Sequence, residues 1–196
     1  QCYKNRFYGI QSHECLQATP IVYYCNYRCN FCWRDMSLTK HSPELVVGSR
    51  EDEPKEMLEE MFQAQKKAIS GYKGSTTTLL KRWNDALTPK HIAISLSGEP
   101  TYYERLPEFI QACHERSMST FLVTNGSRPD VLKKLVLENA LPTQLYISLS
   151  AYDEESHLKI NRPFKNEWQN YLQSIKLLPE ISELTRTVFR MTLIRD

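Results

Sequence analysis

From residue 90 onward, short apolar runs alternate with stretches whose apolar positions recur every three or four residues. HIAISLS (91–97), STFLVTNG (119–126), QLYISLSA (144–151) and RTVFRMTLI (186–194) have the length and composition of strands buried on both faces. Between the first two, LPEFIQACHERS puts Leu106, Phe109, Ile110 and Cys113 on one helical face. DVLKKLVLENA (130–140) does the same with Val131, Leu132, Leu135 and Val136, and EWQNYLQSIKLL (167–178) reads as another helix. Such alternation implies right-handed crossovers and a parallel sheet.

The first 90 residues are less regular. TPIVYYC (19–25) reads as the first strand, which brings the count to five. Residues 36–53 lack periodicity, carry Pro43 and Gly48, and read as a loop. EPKEMLEEMFQAQKKAIS (53–70) reads as a helix with Pro54 in its first turn, Gly71 at its end, and Leu58, Met61, Phe62 and Ile69 facing the core. GYKGSTTT (71–78) breaks the pattern before a short helix over Leu79–Leu87. In parallel α/β folds the C-terminal strand ends form the functional face. A cysteine-rich loop, Gly98-Glu99-Pro100, Asn125-Gly126 and Ser148–Ser150 would all meet there.

Length and charge narrow the picture only slightly. A chain of 196 residues suggests one domain with a real core, and a net charge of +2 announces no nucleic-acid partner. No apolar run approaches the roughly 18 residues of a membrane span. The chain opens on QCYKNRFYG and ends in a strand-like segment, so it reads as a piece of a longer protein, truncated at both ends. Five of its six cysteines lie within the first 32 residues, which suits a metal or cluster site better than a disulfide framework. That implies reduced thiols and a cytoplasmic setting.

Cys25, Cys29 and Cys32 are spaced so that one loop can wrap an iron–sulfur cube. Three thiolates leave the fourth iron without a protein ligand. An open iron can chelate an amine and a carboxylate, and the methionine end of S-adenosylmethionine offers both. The alternative is structural zinc, which needs a fourth ligand from Cys15 or Cys2 and would make the chain a zinc-bearing RNA-binding module. Phe31, beside the last cysteine, favours the cluster, because its ring would cover the site and face an adenine.

The Cys-x3-Cys-x-aromatic-Cys loop of Cys25, Cys29, Phe31 and Cys32 resembles the signature of the radical S-adenosylmethionine superfamily. SLSGEP resembles its acidic turn, with Ser97 in place of a usual glycine. In that reading Gly98 permits close backbone approach and Glu99 accepts from the ligand's ammonium group. CYKNRFYGIQSHEC, QATP, CNFCWR, FLVTNG, NRPF and RTVFRMTL together resemble the tRNA 4-demethylwyosine synthases from residue 2 to about 194. Within CNFCWR, Trp33 and Arg34 extend the generic cysteine signature.

The resemblance implies a partial (β/α)6 TIM-like barrel whose sixth strand lies beyond the chain, with residues 36–53 as an insertion. It implies condensation of N1-methylguanosine beside the anticodon of tRNA-Phe with two carbons of pyruvate, through an adenosyl radical. The rival enzyme reading is a radical S-adenosylmethionine enzyme acting on another substrate, against which Cys2, Cys15 and the CYK word argue. An electron donor of the flavodoxin or ferredoxin kind is implied as a partner. Residues 1–18 would lead into a second 4Fe-4S cluster held by three cysteines; Cys2 and Cys15 match the last two, and the first would precede Gln1. Lys4 matches a lysine that holds pyruvate as a Schiff base, its neutral amine attacking the keto carbon; the other reading is a solvated surface lysine.

Asn125 and Ser148 are candidates for ribose or carboxylate contacts, and Arg190 for the carboxylate of S-adenosylmethionine. Each would serve equally as a turn or core residue. Cys113 reads as a core hydrophobe, and His13 as orienting the loop that carries Cys15. The other four histidines have no partner pattern. Lys66, Lys67, Lys73, Lys81 and Arg82, with Tyr72 and Trp83 as stacking rings, are candidate RNA contacts. The 36–53 loop, directly after the cluster motif, would cover the site and touch the anticodon loop.

Overall fold

Five parallel strands lie side by side in chain order in the computed structural model, which describes residues 2–35, 37, 39 and 52–194. They are β1 (Cys15–Ala18), β2 (His91–Ile94), β3 (Ser119–Thr124), β4 (Gln144–Leu149) and β5 (Arg186–Met191). Each is in parallel register with the next, from Cys15 opposite His91 to Ser148 opposite Arg190. The helices are α1 (Tyr3–Tyr8), α2 (Pro54–Ile69), α3 (Leu80–Ala86), α4 (Leu106–Glu115), α5 (Pro129–Leu137), α6 (Glu154–Asn161) and α7 (Trp168–Leu184). This α/β progression accords with the partial barrel that the sequence implies. The 36–53 loop lies almost wholly outside the described residues. Among those described, no helix is long and apolar enough to cross a membrane.

Alternate residues of a strand face opposite sides, and here the two sides differ. Leu16, Ile92, Ile94, Leu122, Leu145 and Ile147 join the main core with Leu58, Phe62, Phe109, Ile110, Leu135 and Ile181 from the helices. Burying each such side chain stabilises the fold by about 1.5–3 kcal/mol. The other face carries Ala93, Phe121 and Tyr146, with Cys15, Val123 and Val188 packed around them. Tyr8 and Ile10 of the N-terminal segment lie against this inner face.

The first strand is misplaced in the sequence reading. β1 ends at Ala18, and the apolar run 19–25 forms no strand with β2. Pro20 lacks the N–H that a ladder requires. The run is held instead by the turn after β2: Ser95 N donates to Ala18 O at 2.9 Å and Glu99 N to Tyr24 O at 2.7 Å. Ser97 Oγ adds a bond to Val22 O at 2.5 Å.

Three helical segments also depart from expectation. α1 is six residues long and closes on Gly9 at φ 70°. α6 starts where Asp153 Oδ1 accepts from Ser156 N at 2.8 Å, an N-cap with Glu154 and Glu155 in the first turn. α7 continues through Pro179 to Leu184, past the end expected at residue 178.

Gly98 is where the fold tolerates no side chain. It adopts φ +67°, and a Cβ there would stand 2.1 Å from Ile21 O and 2.8 Å from Tyr24 O. The close approach expected of this glycine is therefore to the chain's own loop. Gly98→Ala should lower the unfolding free energy in urea by about 1–3 kcal/mol or more. Gly74→Ala, where a Cβ meets nothing within 4 Å, should change it by less than about 0.5 kcal/mol.

Candidate active site

The cysteine loop is gripped from two sides. The Ser95–Glu99 turn holds its base. Its tip is held by the end of α6: Asn30 N donates to Ile160 O at 2.9 Å, and Arg28 N to Asn161 O at 3.0 Å. Phe164 N returns a bond to Asn26 O at 2.9 Å, and Tyr27 bridges Pro163 in antiparallel fashion. Arg162, at φ 46°, turns the chain out of α6 so that this strip can lie along the loop. The NRPF word of the sequence is thus the outer wall of the cysteine loop.

Cys25, Cys29 and Cys32 line one cavity of about 430 Å³, together with Phe31, Trp33, Arg34, Gly98, Glu99, Asn125, Ser148 and Arg190. Burial pushes the Cys25 thiol well above its usual range, with Glu99 and the other two cysteines adding to the shift. Burial, then Cys32, pushes Cys29 up to about 12. Without a cation both side chains are neutral thiols, and metal ligation has to displace their protons.

The donor set fits an iron–sulfur cluster. The sulfurs are near enough to shift one another's ionisation, yet the described residues hold only one set of three potential ligand atoms mutually within 4.8 Å, and it is His13, Glu14 and Asp85. A single tetrahedral zinc would draw its sulfurs to about 3.8 Å of one another. Three soft donors on one short loop suit a cube of several metals.

Glu99 is buried to 3% exposure, and its carboxylate is largely taken by the protein. Oε1 accepts from Thr124 Oγ1 at 2.6 Å, Thr101 Oγ1 at 2.8 Å and Thr101 N at 3.3 Å. Oε2 accepts from Asn125 N at 2.7 Å. Burial raises its pKa, and these four hydrogen bonds oppose the rise. The Asn125 side chain is engaged too, donating to Asn26 Oδ1 at 2.8 Å and accepting from Ser127 N at 3.0 Å.

Ser148 and Arg190 face each other across β4 and β5 on the inner side of the sheet and open onto the cavity. Lys4 is no surface lysine. It is 7% exposed, with Nζ 4.9 Å from the centre of the Phe121 ring and 5.9 Å from that of Tyr3. Phe121 lies two residues before Val123, a wall of the cavity, so Lys4 sits roughly 6–7 Å further down the inner face. Half-buried Cys15 feels the charges of Lys4 and Cys2, which brings all three together at that lower level.

Several other residues stand elsewhere. His13 Nε2 is 3.4 Å from Asp85 Oδ2, at the opposite end of the sheet from the cysteine loop. Trp83 gives its Nε1–H to Ile69 O at 2.9 Å and lies under Lys73 at 5.3 Å, so it fastens α3 to the end of α2 rather than offering a free stacking face. The basic residues around it share that distant end. Cys113 is fully buried, as a core residue.

Sequence reasoning brought Ser150 to this face but missed Asn26, His157 and Asn161 around the loop, and the threonines that hold Glu99. Three histidines set aside as unpartnered have partners: His91 meets Ser119 Oγ at 2.6 Å, His114 meets Thr120 Oγ1 at 2.9 Å, and His157 meets Asn161. Asp153, four residues before His157 and eight before Asn161, was the available helix-start signal.

The radical SAM superfamily model matches residues 19–196, and the chain belongs to that superfamily. The superfamily implies a 4Fe-4S cluster and S-adenosylmethionine. The chain is 40% identical over 199 residues to the S-adenosyl-L-methionine-dependent tRNA 4-demethylwyosine synthase of Pyrococcus abyssi, covering 99% of this chain and 56% of that protein. It is 41% identical to the enzyme of that name from Methanocaldococcus jannaschii, covering 99% and 60%. A solved structure of TYW1 with a lysine–pyruvate adduct bound superposes with a TM-score of 0.83 at 40% identity, over all of this chain and 60% of that one. The chain therefore spans somewhat over half the length of these relatives.

An acid whose pKa is raised on folding binds more protons folded than unfolded, so its contribution to stability falls as pH rises. Relative to Glu99→Gln, the wild-type protein without S-adenosylmethionine should lose unfolding free energy as pH climbs from the ordinary 4.5 through the raised value. Urea titrations between pH 4.5 and 8 read the gap, and a constant gap would contradict the assignment.

Proposed function

We propose that the protein is a radical S-adenosylmethionine enzyme of tRNA modification, condensing N1-methylguanosine beside the anticodon of tRNA-Phe with pyruvate to form 4-demethylwyosine in the cytoplasm. The observation that carries this reading is the burial of Lys4 beside Cys15, on the same face of the sheet as the cavity of Cys25, Cys29 and Cys32. A lysine held there, against Phe121 and Tyr3, can present pyruvate as a Schiff base toward whatever the cavity binds. Relatives that bear the name tRNA 4-demethylwyosine synthase, and a related structure that holds a lysine–pyruvate adduct, support it.

Cys25, Cys29 and Cys32 hold the cluster; bound there with S-adenosylmethionine, it supplies the electron for carbon–sulfur cleavage. Phe31 covers the ligand. Gly98 keeps the acidic turn against the loop, and Glu99 offers its less occupied oxygen, Oε2, to the ligand's ammonium group. Arg190 takes its carboxylate, and Ser148 and Asn125 bound the ribose side. Cys2 and Cys15 are two of three ligands to a second 4Fe-4S cluster beside Lys4. A flavodoxin- or ferredoxin-like donor delivers electrons.

Two measurements test the proposal. Anaerobically reconstituted protein, reduced with dithionite, should cleave S-adenosylmethionine, and Cys29→Ala should reduce that cleavage by at least a hundredfold. Product from methylguanosine-containing tRNA should require pyruvate. Borohydride with labelled pyruvate should trap an adduct on the wild-type chain and none on Lys4→Ala; equal trapping in both would remove Lys4 from its role.

A further inference from the structure

The amide of Asn161 is 5% exposed and stands between the cysteine loop and a buried histidine. Its oxygen position lies 2.6 Å from Ser150 Oγ and 3.6 Å from Cys29 Sγ, and its nitrogen position 3.0 Å from His157 Nδ1. His157 is 1% exposed, and its ring is enclosed by Tyr27, Trp168 and Tyr171 at centroid distances of 5.2–5.6 Å. Its Nε2 has no hydrogen-bond partner among the described residues.

Two orientations of the amide have the same shape and differ by a half-turn. With nitrogen toward His157, Nδ1 must accept, and the proton of the neutral imidazole goes to Nε2, where it is buried without an acceptor. An orphaned donor of that kind costs about 1–3 kcal/mol. With oxygen toward His157, Nδ1–H donates to Asn161, and only a bare nitrogen lone pair faces the rings. The amide nitrogen then stands 2.6 Å from Ser150 Oγ and 3.6 Å from Cys29 Sγ, with one N–H for each.

Cys29 decides between them. A thiol there can donate to the amide oxygen. A metal-bound thiolate has no proton to give, and it meets the oxygen orientation with repulsion and the nitrogen orientation with a hydrogen bond. We propose that in the cluster-bearing protein Asn161, oriented by His157, donates an N–H···S hydrogen bond to the Cys29 thiolate and so raises the reduction potential of that cluster. The donor disperses negative charge on sulfur, and the reduced state carries more of it. Asn161 is thus a positioning and tuning residue, acting through a ligand. The proposal rests on the reading of Cys25, Cys29 and Cys32 as cluster ligands.

The test is an EPR-monitored redox titration of the anaerobically reconstituted full-length protein, with iron and sulfide counted first. Wild-type protein that loads no more iron and sulfide than the Cys25→Ala/Cys29→Ala/Cys32→Ala variant, which retains the second-cluster cysteines, overturns the cluster reading itself. In loaded protein, Asn161→Leu retains about the size of the side chain and adds no charge, but cannot donate to sulfur. Its midpoint should fall, by roughly a tenfold loss in electron affinity, about 59 mV for a one-electron couple. An unchanged midpoint overturns the hydrogen bond while leaving the cluster reading intact. A purely structural role of Asn161, through its backbone bond to Arg28, would alter loading or thermal stability without moving the midpoint. Wild-type protein with side-chain ¹⁵N-asparagine adds a readout independent of any variant: pulsed EPR of the reduced cluster should show a nitrogen coupling, and its absence overturns the proposal.

Discussion

One buried carboxylate organises the upper end of this molecule. Glu99 gathers the hydroxyls of Thr101 and Thr124 and the backbone of Thr101 and Asn125 around itself, while its own N–H reaches Tyr24 O. The turn after β2, the end of β3 and the root of the cysteine loop are therefore parts of one hydrogen-bonded unit. A buried charge without such partners would be very costly, so the arrangement holds only if all the partners arrive together. That requirement couples the position of Cys25 to the folding of two strands remote from it in sequence.

The inner face of the sheet then links two chemically distinct levels. At the top, the cysteine loop is pinned between the Glu99 unit and the end of α6, and Arg190 and Ser148 open onto the same cavity. Lower down, Lys4 lies over Phe121 with Cys2 and Cys15 nearby. Alternation along the strands puts the two levels on one side, and the N-terminal segment, folded across that side, delivers Lys4 to it. The raised thiols of Cys25 and Cys29 and the enclosed ring of His157 both follow from burial at the root of the loop and against α6.

Much of the architecture was legible from periodicity. Four of the five strands begin at the residue where their apolar runs begin, and the helices carrying Leu58, Phe109 and Leu132 bury the faces that their spacing indicated. The first strand was not legible, because TPIVYYC is as apolar as a strand and only Pro20 argues against one. α6 was obscured by its mixed polar face, and α7 by Pro179. At the site, the cysteine spacing and the acidic turn identified the loop and the residue beneath it. They did not reveal that Gly98 also makes room for Ile21 O.

What the sequence determined by itself was the chemistry: three thiols at a spacing that only a short loop can span, an acid in a glycine turn, and a lysine two residues after a cysteine. Spacing constrains groups that are close along the chain, and these are. What only the tertiary structure decided was the company those groups keep. Lys4 is buried because α1 lies across the sheet, Trp83 is spent on Ile69 O, and Asn161 meets Cys29 across 132 residues of chain. Contacts of that range arise from the closing of the fold, and no local pattern of residues encodes them.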